Sequence, residues 1–348
     1  MLDKIFSFVS FDLAVDLGTA NTVIFVRGKG VVVREPTVVA RHKKSKDLIA
    51  VGSEAKKMLG KNPEEIEVIK PMVDGVIADF DAMELMLKHY FKQVHQQVGL
   101  MPKISKPMVL VGIPSGVTEV EKRAVQDVCL QAGSRQAYLV EEPIAAAMGA
   151  GIDVEKPEGQ LIVDVGGGTT EIAVISLGGI VVNRSLRIAG DELDQAIIKF
   201  LRLKHGLLLG ETTAEQVKIN IGSAIPFEKK KSFVVRGRDL EQGIPKSIKL
   251  NSEEIRECLA PIIQQIETEV AETVEETPPE LVADVLEHGL VLTGGGANLF
   301  GMDKVLTERI KIQVWVADEP ADAVVKGLSK LFKDEALLNR TRVKRGLR

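Results

Sequence analysis

Short apolar runs bounded by Gly, Pro, Asn or Asp alternate along this chain with longer segments whose apolar positions recur at helical spacing. That alternation of period-two and period-3.6 patterns predicts an α/β architecture. Asp12–Val15 opens a first strand and Met108–Ile113 reads as a buried one. The turn Pro114-Ser115-Gly116-Val117 follows, and Thr118 with Glu121 predicts a capping box opening a helix that Gly133 closes. Ala137–Val140 is the next strand, and Glu142-Pro143 starts a short helix over Ile144–Gly149. Glu192–His205 is amphipathic, and Ser252–Glu276 reads as one long helix with Pro261 inside it. Thr277-Pro278 is expected to cap another helix that stops at Gly289. The strand Leu290–Thr293, the turn Gly294-Gly295-Gly296 and a final helix–strand–helix unit complete the pattern. Two stretches break the rhythm and read as insertions, about Arg34–Lys70 and about Gly190–Leu250. The basic tail Arg340–Arg348 reads as disordered.

Two segments repeat one another without a gap: Val15–Val26 and Val163–Val174. Asp16 falls on Asp164, Gly18 on Gly166, Thr22 on Thr170, Ile24 on Ile172 and Val26 on Val174. Each reads as a β-hairpin: an apolar strand ending in Asp, a small-residue turn, then a second apolar strand. Self-similarity at this distance indicates a duplicated domain rather than a solenoid. Two Asp-tipped turns facing one another suit a polyphosphate and its metal, so the site is expected between the halves.

The 348 residues exceed one ordinary core and suit two domains. A net charge of -4 excludes a strongly basic nucleic-acid binder, and 4% aromatics leave little for stacking single strands, so no nucleic-acid partner is expected. Cys129 and Cys258 lie far apart within helical patterns and read as buried thiols, without metal or disulfide spacing. No apolar run approaches the roughly 20 residues of a spanning helix, and no cleavable signal precedes the first strand.

The turns carry the candidate chemistry. Gly166, Gly167 and Gly168 allow close backbone approach and can aim N–H groups at an anion. Gly18, Thr19, Ala20 and Asn21 do likewise on the other hairpin, where the Asn21 amide can donate to a phosphate oxygen. Asp16 and Asp164 are poor phosphate contacts but suit Mg²⁺ held through its waters. Neither a Walker loop nor a strand–GxGxxG–helix unit competes with this reading. Gly294-Gly295-Gly296-Ala297-Asn298 can pack against a base or support the α-phosphate. Thr212 with Glu215 fits a capping box, while Glu215 and Lys218 on one helical face could meet ribose hydroxyls and the adenine edge. Orienting a water toward the γ-phosphate needs a carboxylate. Glu142 is the candidate, with Thr169 as second water-holding group, but Glu141 beside it is equally available from spacing alone.

These residues resemble the actin/heat-shock-chaperone/sugar-kinase ATPase superfamily, and within it the MreB family of bacterial actins. The likeness rests on Asp16–Thr22, Asp74–Asp79, Glu142-Pro143, Asp164–Glu171, Ala189–Glu192, Thr213-Ala214-Glu215, Pro278–Leu281 and Leu292–Gly296, and runs from about Phe11 to about Leu331. It implies an actin-like, duplicated ribonuclease-H-like fold of two lobes, each with a smaller outer subdomain, around a nucleotide cleft. Subdomain IA would comprise residues 1–33, 71–145 and 320–348, IB 34–70, IIA 146–189 and 251–319, and IIB 190–250. ATP and Mg²⁺ are the implied cofactors, bound by Asp16, Gly18–Asn21, Gly166–Thr170, Glu215, Gln216, Val217, Lys218 and Gly294–Asn298. In this family the Glu before Pro is hydrolytic, which favours Glu142 over Glu141 and sets Thr169 as its partner.

The resemblance further implies a slow ATPase that forms homopolymeric filaments on the inner face of the cytoplasmic membrane. There, with membrane proteins of cell-wall (peptidoglycan) synthesis, such filaments maintain rod shape. Leu2, Ile5, Phe6 and Val9 line one side of a short N-terminal amphipathic segment, and Leu100-Met101 resembles an apolar membrane-insertion loop. Weak contacts of this kind add up along a filament by avidity. Alternatives within the superfamily are a small-molecule kinase, which needs a catalytic Asp beside an acceptor pocket, and a chaperone ATPase, which needs a substrate domain.

Overall fold

The computed structural model describes residues 12–98 and 106–343. Leu2, Ile5, Phe6, Val9, Leu100 and Met101, the expected membrane-contacting residues, lie outside them. No helix among the described residues is long and apolar enough to cross a membrane.

The first lobe opens with β1 (Leu13–Leu17), β2 (Asn21–Val26) and β3 (Gly30–Pro36), so β3 runs past the expected boundary at Arg34. Between them and the rest of the sheet lie β4 (Val39–His42), β5 (Leu48–Val51), α1 (Gly52–Met58) and β6 (Ile66–Ile69). There follow β7 (Met72–Val73), β8 (Val76–Ile77) and α2 (Phe80–Val98), then β9 (Met108–Ile113), α3 (Glu119–Gln131), β10 (Gln136–Glu141) and α4 (Glu142–Gly149). The second lobe repeats the plan with β11 (Gln160–Val165), β12 (Thr170–Ser176) and β13 (Gly179–Leu186). Inserted next are α5 (Gly190–His205), β14 (Leu207–Leu208), α6 (Glu211–Ile221), β15 (Ser232–Asp239) and β16 (Pro245–Asn251). The chain closes with α7 (Ser252–Glu276), α8 (Pro279–His288), β17 (Leu290–Thr293), α9 (Met302–Ile310), β18 (Val314–Val316), α10 (Ala323–Lys330) and α11 (Glu335–Thr341).

The duplication is visible in the sheets. One has the order β10-β9-β1-β2-β3 and the other, read from its opposite edge, β18-β17-β11-β12-β13. In both, the hairpin is antiparallel and its first strand pairs in parallel with a later one. Asp16 sits opposite Gly112 of β9 and Asp164 opposite Thr293 of β17, so the two carboxylates occupy equivalent positions. The inserted segments form small sheets of their own, β5-β4-β6 and β14-β15-β16.

Among the described residues three large cores hold this arrangement, with a small fourth of Val38, Ala40 and Ala55 in the first inserted segment. Each large sheet buries one face against its own helices: α2 and α3 in the first lobe, α5, α7 and α9 in the second. The inner faces bury α4 and α10 between the lobes, with Ala14, Val23 and Leu110 on one side and Ile162, Ala173 and Ile175 on the other. Ile144, Val325 and Leu328 are all at most 2% exposed here, and each such side chain contributes about 1.5–3 kcal/mol on burial. The two helices cross at Gly149 and Gly327, where a Cβ on either residue would overlap a carbonyl of the other helix.

Several local expectations shift. The Thr118/Glu121 capping box is present, and Gly206 closes α5 in the left-handed region. Thr212 does not cap α6, which starts after Gly210 and has no side-chain cap. Thr277 ends α7, donating to the Thr273 carbonyl, and Pro278 takes the first position before α8. The glycine turn after β17 leads into a 3₁₀ turn over Gly295–Asn298, and the α-helix starts only at Met302. The start of the basic tail is ordered: Arg340 pairs with Glu155 at 2.9 Å and the Val343 amide donates to Leu139. Cys129 is buried and Cys258 partly so; both are free thiols.

Candidate functional site

The two hairpin turns meet. A Cβ on Gly167 would lie 2.5 Å from that of Ala20, and one on Gly168 equally close to Thr19 Oγ1. Only glycine lets the second turn come this near the first. Each turn is braced from behind by the threonine that opens its second strand. Thr22 Oγ1 bonds Thr37 Oγ1 at 2.9 Å, and Thr37 Oγ1 donates to the Gly18 carbonyl at 2.6 Å. Thr170 Oγ1 donates to the Ile188 carbonyl at 2.7 Å, while the Asp191 amide donates to Gly167.

Around the turns lies a cavity of about 470 Å³, lined among others by Asp16, Gly18–Asn21, Glu142, Asp164, Gly166–Thr169, Glu215, Lys218, Gly294–Gly296 and Asn298. Residues from both hairpins, the inter-lobe helix and the glycine turn after β17 thus share one space. Thr170 does not reach it: the side chain is fully buried and spent on Ile188. Val217 and Ala297 turn into the second-lobe core, and exposed Gln216 also stays outside the cavity lining. The side on which each of these four falls on its strand or helix keeps its side chain out of the cavity lining. Lys218 lines the cavity with its ammonium tied to Asp194 at 2.9 Å and to the Gly190 carbonyl at 2.7 Å. Glu215 pairs with Lys56 at 2.6 Å.

Of the two adjacent glutamates, Glu142 lines the cavity and Glu141 does not. Glu141 is the N-cap of α4, and Glu142 is buried in the helix's first turn. The acids of the cavity oppose one another's ionisation. Burial first, then Asp164 and Asp322, push the Asp16 carboxyl up to about 8. Burial raises Asp164 to about 6 despite a 2.8 Å hydrogen bond from Thr293 Oγ1. Glu142 is held well above the usual carboxylate range by burial, Asp16, Glu171 and Asp164. None of the three has an ion-pair partner among the described residues. Such a concentration of buried carboxylate is stable in the ionised form only beside a cation.

The site includes residues that the motif reading did not assign. The Asp74-Gly75 turn reaches in, with the Gly75 amide donating to Thr19 Oγ1 at 3.0 Å. Asp191 and Asp194 come from the start of α5, Phe227 and Lys231 from the segment before β15, and Phe300 from just after the 3₁₀ turn. Phe227 and Phe300 stack at 4.5 Å, with the Lys231 ammonium 4.1 Å from the Phe227 ring. The stretches Asp74–Asp79 and Ala189–Glu192 had stood out as motifs, and those were the available signals. The Phe227 loop had none.

A duplicated α/β sheet pair with two abutting glycine turns over one cleft defines an actin-like protein. The comparisons narrow this: the chain matches the MreB/Mbl protein family over residues 10–340 and belongs to it. It is 48% identical to the cell shape-determining protein MreB of Escherichia coli (strain K12) over 96% of both chains. Against the cell shape-determining protein Mbl of Bacillus subtilis (strain 168) the identity is 44%, covering 91% of this chain and 94% of that one. Among solved structures, MreB5 of Spiroplasma citri bound to ADP superposes with a TM-score of 0.88 at 39% identity, covering 95% of this chain and 98% of that one. The MamK double helical filament shares the fold, with a TM-score of 0.78 at 21% identity over 93% and 99% of the two chains.

Proposed function

We propose that this chain is an ATP-dependent cytoskeletal filament protein that determines cell shape. The observation that carries this reading is the convergence of Asp16, Glu142 and Asp164 with two abutting glycine turns in one cleft. Relatives that are nucleotide-bound (MreB5, with ADP and with AMPPNP) or filamentous (MamK) support it from outside.

The residues fit Mg²⁺ and a triphosphate. No three His, Cys, Asp or Glu side chains among the described residues converge closely enough to ligate a metal directly. Asp16 and Asp164 would hold Mg²⁺ through the waters it is reluctant to lose, the ion neutralising phosphate charge when bound. The backbone N–H groups of Thr19–Asn21 and Gly166–Thr169 would cradle the phosphates. Glu215 would meet the ribose, and Gly294–Gly296 with Asn298 the base, all of them lining the cavity. Glu142 would orient the attacking water and accept its proton, with the Thr169 hydroxyl as the second contact. We further propose slow hydrolysis tied to filament turnover, and attachment to the inner membrane face through the apolar residues around Phe6 and Leu100. Organisation of peptidoglycan synthesis through membrane partners completes the reading.

Sedimentation and electron microscopy of the full chain with MgATP and anionic-lipid vesicles test it. Filaments that need MgATP are expected, and Asp164→Ala should abolish them. Calorimetry showing no uptake of MgATP would overturn the reading. Changing Leu100 and Met101 to Ser should reduce vesicle binding while sparing assembly.

A further inference from the structure

One buried acid beside the cleft has no part in the proposed chemistry. Glu171 is 1% exposed and stands on β12, directly opposite Asp164 in the hairpin register and two residues beyond Thr169. Its carboxylate accepts three hydrogen bonds. Oε2 takes the Ser115 amide at 3.0 Å and the Ser115 hydroxyl at 2.5 Å, while Oε1 takes the Ser185 hydroxyl. All three groups donate to it; burial raises the carboxyl's proton affinity above the usual range, and the three hydrogen bonds oppose that rise.

The donors come from different lobes. Ser185 lies on β13 of the second lobe, but Ser115 belongs to the first-lobe turn between β9 and the capped start of α3. Gly116 packs tightly there: a Cβ on it would lie 3.2 Å from that of Ser185. Asn183 adds a further cross-lobe bond, donating to Ser115 Oγ at 3.1 Å. The same first-lobe turn also touches the phosphate end. A Cβ on Gly75 would lie 2.9 Å from Pro114 Cγ and 2.8 Å from Thr169 Cγ2. A closed ring of contacts therefore runs from Thr169 through Gly75 and Pro114 to Ser115, then back through Glu171 to the strand that carries Thr169.

We propose that Glu171 is a positioning residue for hydrolysis, clamping the Pro114–Gly116 turn of the first lobe onto β12 so that Thr169 and Glu142 are held in register across the cleft. Glu142 is fixed to the first lobe through the β10–α4 junction, and Thr169 to the second through β12. A water held by both needs the lobes at one separation, and the Ser115–Glu171–Ser185 bonds set it from behind. Glu171 does not line the cavity, so its loss should affect turnover more than affinity. The inference rests on the proposed ATP hydrolysis.

The test is single-turnover ATP cleavage, paired with the Kd for MgATP, on full-length wild type, Glu171→Ala, Glu171→Gln and the double variant Ser115→Ala, Ser185→Ala. Cleavage should fall on the order of ten- to a hundredfold in Glu171→Ala and in the same direction in the serine pair, with Kd within about threefold of wild type. Glu171→Gln keeps the volume and an oxygen for Ser115, so it should retain more activity than Glu171→Ala. The double serine variant reads out the clamp even if Glu171→Ala fails to fold. Wild-type cleavage rates in these variants, or losses of rate matched by equal losses of affinity, overturn the inference alone. A wild-type chain that binds ATP without ever cleaving it removes the hydrolytic reading and this one together.

Discussion

Lys56 Nζ lies 2.6 Å from Glu215 Oε2, joining α1 of the first lobe to α6 of the second across the mouth of the cleft. A second pair, Lys70 with Glu211 at 2.8 Å, repeats the contact one helical turn away. Both pairs keep roughly a third of their side chains exposed, so solvent weakens them to about 1 kcal/mol or less each. Removing both cations, in the variant Lys56→Ala, Lys70→Ala, should speed nucleotide release roughly three- to tenfold. Stopped-flow displacement of a fluorescent ATP analogue measures this. Added salt should accelerate release in the wild type and much less in the variant; equal rates at every ionic strength would refute the latch.

Glu142→Ala should leave MgATP binding within a few-fold of wild type and slow phosphate release by about a hundredfold or more, the scale for losing a positioned acid–base group. Glu141→Ala is the control, because Glu141 caps α4 outside the cavity. If Glu141→Ala stops phosphate release and Glu142→Ala does not, the assignment is reversed.

How much of this was legible in the chain depends on where each side chain's meaning resides. The hairpins were legible because strand, Asp, small-residue turn and strand are contiguous, and their repetition carries the fold's duplication. Thr170, Val217 and Ala297 fall outside the cavity lining because a motif marks a segment, whereas burial is decided residue by residue by the face presented. Asp194 and Phe227 reach the cleft only through packing of α5 and of the loop before β15, which no local pattern encodes, whereas Asp191 lies in a stretch that did stand out. The Glu141/Glu142 ambiguity is of the same kind. One residue's rotation around the start of α4 decides that Glu142, and not Glu141, lines the cavity.

The buried acids set the pH response of the nucleotide-free protein. Asp16, Asp164 and Glu142 all have folded-state values raised above their ordinary range, with Asp16 at about 8 and Asp164 at about 6. Between about pH 4 and pH 8 the folded state therefore holds protons that the unfolded chain releases, and stability falls as pH rises through that window. Thermal melts in EDTA should show Tm dropping from pH 6 to pH 8. Saturating Mg²⁺ with ATP should flatten the drop, since ionised carboxylates then gain a cation. A Tm that rises with pH in EDTA would contradict the burial of these acids.

The crossing of α4 and α10 gives the sharpest stability prediction. Gly327 faces the Ala145 carbonyl so closely that any Cβ would overlap it, and Gly149 stands in the same relation to Ala323. Both helices lie between the two large sheets, so neither can move away without opening the core that joins the lobes. Overpacking of this kind costs about 1–3 kcal/mol, more where backbone must shift. Gly327→Ala should accordingly lower the denaturation midpoint without changing its slope, and Gly327→Val should lower it further. Gly210→Ala is the comparison, since nothing lies within 4 Å of a Cβ there and its φ is an ordinary -85°. Because the lobes share this crossing, Gly327→Ala should also weaken MgATP binding, whereas Gly210→Ala should not. Equal midpoints for the two variants would mean that the helices can separate freely and that the inter-lobe core is not what holds the cleft together.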